Sequence, residues 1–220
     1  MLLFALVAHE FAHGWAAYRQ GDDTAYKLGR LTLNPIPHID PILTIAMPVF
    51  LWFVSHGTFT FGGARPVPVV TRNFRNFKRG DLIVSSAGIV TNLFLALACT
   101  AVFAIAGEIH ILTGVGRSAV DTLQRMLVWG IQINLILAFF NLIPIPPLDG
   151  SRLLYHFLPP GLGARYRSLD RFGFILVMVL IYFFRGTVGV LLSPASWGLA
   201  HLVELVLPFA AGNGWNIFQQ

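Results

Sequence analysis

Long runs without a charged side chain constrain this sequence more than any other feature. Residues 41–64, 83–106 and 126–148 contain no Asp, Glu, Lys or Arg, and residues 172–203 contain only Arg185. A helix needs about 20 apolar residues to cross ~30 Å of hydrocarbon, and each run is long enough. A chain in lipid must also satisfy its own peptide groups, which favours helices. Only 11% of the 220 residues are charged, against about 25% in soluble domains. The fold expected is an all-α polytopic membrane protein with about five to six membrane segments, forming a single domain over residues 1–220.

Residues 1–20 read as one helix, broken by Gly21-Asp22-Asp23. Residues 41–54 are apolar but interrupted by Pro48. Gly57-Thr58-Phe59-Thr60-Phe61-Gly62-Gly63 mixes aromatic, β-branched and glycine residues, which predicts a short re-entrant β-hairpin near residues 55–69. Within it, the prolines of Arg65-Pro66-Val67-Pro68-Val69 impose an extended backbone. Helices follow at about 82–107 and 122–142, separated by a loop. The second ends at a cluster of Pro144, Pro146 and Pro147. Two weaker apolar segments, about 172–192 and 196–211, close the chain.

The net charge of +5 is not a nucleic-acid signal, because the basic residues gather in loops. Segments 15–38, 65–80 and 152–171 carry three, five and four Lys or Arg, and 108–120 carries one. The positive-inside rule makes the first three cytoplasmic. This orientation implies a multi-pass protein of the cell membrane and leaves Met1 outside, so a further helix is expected to precede it. No cleavable leader is expected, since the opening run lacks a basic start. Arg65 and the basic residues of 72–79 suit lipid headgroups. Trp52, Trp129, Trp197 and Trp215 lie near span ends, where aromatic belts form.

Ionisable residues in lipid are costly unless they serve a purpose. His9-Glu10-Phe11-Ala12-His13 stands about 15 Å from the end of the first helix, well inside the membrane. Histidines four apart share one helix face and suit two nitrogen ligands of one zinc ion, with Glu10 as general base. A catalytic zinc takes three protein ligands. Asp149, in Pro146-Pro147-Leu148-Asp149-Gly150, is the favoured third, because the prolines let a carboxylate turn inward at membrane depth. Asp22, Asp23, Asp40 and Asp81 are its rivals, and a helix cap is the simpler role for Asp149. His38 and Asp40 are expected to fix a Pro-rich turn, and His110, His156 and His201 to be interfacial or structural. The single Cys99 excludes a disulfide framework within the chain and a cysteine zinc cage.

These residues resemble the site-2 protease family of intramembrane zinc metalloproteases, and the resemblance runs over most of the chain. His9-Glu10-Phe11-Ala12-His13-Gly14 is similar to the family's first motif. Gly29-Arg30-Leu31-Thr32-Leu33-Asn34-Pro35 and His38-Ile39-Asp40-Pro41 resemble the segment after it. Arg65-Pro66-Val67-Pro68-Val69 is similar to the loop after the membrane hairpin, and Ala87-Gly88-Ile89-Val90-Thr91-Asn92 to the Gly-xxx-Asn element. Asn141-Leu142-Ile143-Pro144-Ile145-Pro146-Pro147-Leu148-Asp149-Gly150 resembles the second signature. The resemblance implies one zinc ion per chain on His9, His13 and Asp149, with Glu10 activating water. It implies that Asn141 helps hold the substrate carbonyl, that Asn92 is a further polar core residue, and that the hairpin with Gly62 and Gly63 meets the substrate. Residues 1–220 contain neither the family's usual helix before the metal helix nor a PDZ or CBS pattern, so the resemblance is expected to be to a minimal form.

The expected function is cleavage of transmembrane segments of membrane proteins by metal-activated water, in regulated intramembrane proteolysis, with the active site toward the cytoplasmic side. The expected partners are a single-span membrane protein substrate and the lipid bilayer, with no nucleic acid. Assembly into a homo-oligomer stays open. The alternative is a membrane metal transporter or a non-catalytic metal-binding membrane protein, which would not need Glu10 between the histidines.

Overall fold

The structure, a computed structural model, describes residues 1–57, 60, 62–114 and 116–212. Thr58, Phe59, Phe61 and Trp215 lie outside the described residues. Helix α1 spans Leu2–Gln20 and ends on Gly21 in the left-handed conformation, followed by the single turn α2, Thr24–Lys27. A wide turn, Pro41–Ala46, leads into α3, Met47–Val54. Then come α4, Phe77–Thr113, and α5, Arg117–Leu142. The C-terminal part is built of shorter pieces: α6 (Asp149–Tyr155), α7 (Pro160–Arg167), α8 (Gly173–Phe183), α9 (Arg185–Leu191) and α10 (Ser193–Val206).

α4 is the axis of the molecule, packing along both α1 and α5, while α10 covers α5. Its pattern is the inverse of a soluble helix. Ser85, Gly88, Asn92, Ala96, Thr100, Phe103 and Gly107 are buried at three- to four-residue spacing. Val90, Phe94, Leu97, Ile105, Ile109 and Leu112 are exposed. Apart from Val84, Ile89 and Phe103, the buried positions of α4 hold small or polar residues, which is how helices pack when lipid is the solvent, because close backbone approach replaces hydrophobic burial as the driving force.

Two helices, α4 and α5, are long and apolar enough to cross a membrane. A third span arises if α7–α8 and α9 count as one segment bent by 99°. Five to six spans are therefore not supported, and the reason is local. α1 loses apolar character to His9, Glu10, His13 and Arg19. The 41–54 segment is short, and its entry is a π-type turn capped by the Asp40 carboxylate, which accepts from the Ile42 and Leu43 amides. The 172–192 segment breaks at Phe184. The loop expected at 108–121 is mostly helix, because α4 runs on to Thr113 and α5 starts at Arg117.

No strand occurs among the described residues, so the β-hairpin near 55–69 is not supported either. Residues 62–70 are extended, but their hydrogen bonds go elsewhere. The Gly63 amide donates to the Leu43 carbonyl at 3.1 Å, the Thr44 hydroxyl donates to the Gly63 carbonyl at 2.7 Å, and the Arg65 amide donates to the His38 carbonyl at 2.8 Å. The segment is tied to the 38–44 turn rather than to a second strand.

Two polar clusters fix the ends of the bundle. Far from the histidines, the buried Gln124 amide donates to the carbonyls of Phe209 (2.8 Å) and Phe103 (3.2 Å) and accepts from the Ala211 amide (2.9 Å). A side chain at Gly107 would collide with the Phe209 carbonyl. After α1, the Asp22 carboxylate accepts from the Thr24 hydroxyl, the Val70 amide and the Asn73 amide. Burial alone would raise this carboxyl, but the hydrogen bonds outweigh it and hold it below the usual range.

Gln124→Leu strands three backbone groups and should cost roughly 1–3 kcal/mol, seen as a melting temperature several degrees lower in detergent. Because its folded pKa is depressed, Asp22 stabilises the fold above its unfolded value of about 3.9. That contribution disappears as pH falls through the lower folded value. Asp22→Asn should therefore melt below the wild type at pH 7, with the gap closing in strongly acidic buffer.

Candidate metal centre

His9 and His13 lie one turn apart on α1, on the side facing α4. Their Nε2 atoms are 3.0 Å apart. Asp149, the first residue of α6, brings Oδ2 to 3.3 Å from His9 Nε2 and 3.1 Å from His13 Nε2. Among the described residues this is the one group of His, Cys, Asp or Glu side chains close enough to share an ion. Ligands of a tetrahedral zinc with bonds of about 2.0 Å stand about 3.3 Å from one another, so the triangle fits such an ion. Asp149 Oδ2 is also buried with no hydrogen-bond partner, an arrangement too costly to keep without a cation.

The histidines are held in one tautomer. Asn92 donates through Nδ2 to Asn134 Oδ1 at 2.8 Å, which leaves Asn92 Oδ1 as an acceptor for His9 Nδ1–H at 2.6 Å. Asn134 in turn donates to the Gly130 carbonyl. His13 Nδ1–H donates to the Val84 carbonyl at 2.7 Å. Each Nδ1 carries the proton, so each Nε2 keeps its lone pair for a metal. Such outer partners orient imidazole ligands and raise their basicity.

Glycines make the approach possible. A Cβ on Gly88 would stand 2.6 Å from both His9 Nδ1 and His13 Nε2. Gly88 and Asn92 thus divide the work one turn apart on α4, one giving the imidazoles room and the other fixing their orientation. A Cβ on Gly150 would collide with the Leu142 carbonyl and stand 2.8 Å from that of Ile143. Glycine there lets α6 begin directly against the end of α5 and present Asp149 inward.

Glu10 is partly exposed beside the histidines, and its Oε2 accepts from the Val67 amide at 2.7 Å. In Pro66-Val67-Pro68 that amide is the sole backbone donor, because proline has none. The Arg30 guanidinium fixes the segment by donating to the Arg65 carbonyl at 2.8 Å and the Pro66 carbonyl at 3.3 Å.

The other expected site residues stand as follows. Asn92 spends its amide on His9 and Asn134. Asn141, near the end of α5, donates Nδ2 to the Leu137 carbonyl one turn back at 2.9 Å. Gly62 packs on Pro48, and Gly63 faces open space. The rival carboxylates are engaged away from the histidines. Asp22 and Asp40 cap turns, Asp23 pairs with Lys27, and Asp81 is no loop residue but lies buried in α4. Asn134 and Val84 were not foreseen. Asn134 sits on α5 where period alone marks a buried position, and a backbone carbonyl leaves no trace in a sequence.

The model of peptidase family M50 matches residues 101–183, which include Asp149. A relative from Bacillus subtilis, YwhC, named as a zinc metalloprotease, is 41% identical over 180 residues, covering 81% of this chain and 77% of YwhC. The chain belongs to peptidase family M50, the site-2 proteases. The Rip2 proteins of Mycolicibacterium smegmatis and Mycobacterium tuberculosis, also named as zinc metalloproteases, are each 31% identical over 81% of this M50 chain, which spans 64% and 63% of their lengths. No solved structure matches.

Gly88→Ala should push the imidazoles off α4 and empty the site, measured as a zinc content well below one per chain in the purified protein. Asn92→Ala should keep the ion but weaken it about 10- to 100-fold in competition with a chromophoric chelator.

Proposed function

We propose that this M50 protein is an intramembrane zinc endopeptidase, a single metalloprotease domain that holds one Zn2+ on His9 Nε2, His13 Nε2 and Asp149 Oδ2. The observation that carries the reading is the convergence of these three atoms within 3.3 Å while both Nδ1 atoms are tied off. Zinc bound there supplies Lewis-acid polarisation of a scissile carbonyl and makes a water molecule more acidic.

The chain's own residues do the rest. Glu10 keeps one carboxylate oxygen on the Val67 amide and has the other available to take a proton from the attacking water. It then returns that proton to the leaving amine, a service typically worth 10²–10⁴ in rate. Asn141 spends one amide hydrogen on Leu137 and can offer the second to the substrate carbonyl oxygen, where negative charge develops. Gly63, facing open space, is the part of the extended segment best able to admit a substrate backbone.

The substrate is a transmembrane segment of another membrane protein, taken as a single-span helix and cleaved in regulated intramembrane proteolysis. The basic clusters support a site on the cytoplasmic side of a multi-pass protein in the cell membrane. A helix in lipid hides its peptide bonds. The breaks around Asp149 and at residues 62–69 supply the irregular backbone and water access that an unwound substrate needs.

Glu10→Gln should retain one zinc per chain and lose at least 10²-fold in cleavage of a single-span substrate reconstituted in detergent. Equal cleavage by both proteins would remove Glu10 as the base, and no cleavage by either would return the reading to metal transport or simple metal binding.

A further inference from the structure

α6, which carries Asp149 and packs on α4 and α5, is short and only partly buried. It is seven residues long, and only Gly150 and Ser151 in it are buried. Its N-terminal end is seated by Gly150 against α5. At its other end, His156 Nε2 donates to Asp81 Oδ2 at 2.8 Å, and the same oxygen accepts from Arg167 Nη2 at 3.1 Å. The His156 and Asp81 side chains are 4% and 1% exposed. The Arg167 guanidinium also lies 3.9 Å over the Tyr155 ring, and Phe77 flanks His156. The cluster therefore joins α4, the C-terminal end of α6 and the last residue of α7. Asp81 and Arg167 also line a polar cavity of about 170 Å³, together with Ser151 and Arg152.

We propose that Asp81, His156 and Arg167 form a latch that positions Asp149 for the metal. The inference rests on the reading of Asp149 as a ligand. One stripe of α4 then serves all three ligands in turn. Asp81 fixes the helix that carries Asp149, the Val84 carbonyl fixes His13, Gly88 gives room, and Asn92 fixes His9. These positions recur at three- and four-residue intervals, so they lie on one face. Gly150 seats the start of α6, and the latch fixes its other end, so that the helix cannot pivot and change the distance from Asp149 to the two imidazoles on α1. The latch residues touch neither metal nor substrate, and their role is positional.

The test is the rate at which zinc leaves the full chain in detergent, followed with an excess of a chromophoric chelator. Asp81→Asn and His156→Phe should release zinc about tenfold faster, within the range typical of outer-shell changes. His156→Gln, whose amide nitrogen falls where Nε2 stands, should restore most of the wild-type rate. His156→Phe carries the test alone if Asp81→Asn does not fold. Gln124→Leu, which loosens the far end of the bundle, should lower the melting temperature without speeding release. Release at the wild-type rate in the latch variants overturns the proposal. So does equally fast release from Gln124→Leu, which would reduce the latch to general stability. Asp149→Ala is measured alongside. If it binds zinc like the wild type, the ligand assignment itself has failed. If it loses zinc while the latch variants hold theirs, only the latch has failed.

Discussion

The centre of this molecule depends on how closely α1 can approach α4. Two imidazoles on one helix face need room for their rings and an acceptor for each Nδ1–H, and both must come from the same neighbour. Gly88 gives the room, and Asn92 and the Val84 carbonyl give the acceptors. Any side chain at Gly88 pushes the helices apart, and both hydrogen bonds lengthen together. Asn134 extends the same contact to α5, so the relay from His9 through Asn92 to the Gly130 carbonyl runs through three helices. Buried polar networks of this kind are favourable only when each member is satisfied. In this relay His9 Nδ1, Asn92 and Asn134 each have a partner, and beside it Asp149 Oδ2 is buried without one, the atom a cation would claim.

The bilayer as solvent explains why the polar groups lie along one seam. Large apolar side chains cover the outer faces of α4 and α5, and the small and amide-bearing residues lie inside, beside apolar clusters such as Phe103, Leu127 and Ile131. Such packing lets backbones come close, and close backbones are what a glycine-dependent metal site requires. The prolines serve the same end by interrupting helices where a functional group must be turned. Pro144, Pro146 and Pro147 end α5 so that α6 can start with Asp149. Pro66 and Pro68 leave the Val67 amide as the one donor that meets Glu10.

Much of this was legible in the sequence, and the reasons differ by residue. His9 and His13 were legible because a four-residue spacing on a helix is geometry in itself. Asp149 was legible because few carboxylates lie at membrane depth. The spans were over-counted because hydropathy reads composition, while breaks at Phe184 and in the 41–46 turn are decided by packing. The hairpin was expected because aromatic, β-branched and glycine residues suit strands. The extended segment instead takes its hydrogen bonds from the 38–44 turn and Glu10, which no local pattern reveals. Asp81 falls at the edge of the helix expected at about 82–107, among basic neighbours. Its burial follows from His156 and Arg167, far along the chain, which sequence proximity cannot show.

X-ray absorption at the zinc edge of the purified, zinc-loaded chain tests the central claim most directly, because it counts the ligands by type. The account predicts two imidazole nitrogens with oxygen from a carboxylate and water, all at about 2.0–2.2 Å, and no sulfur shell. A sulfur shell near 2.3 Å, which only Cys99 or a methionine could provide, or a spectrum without paired imidazole scattering, would contradict it.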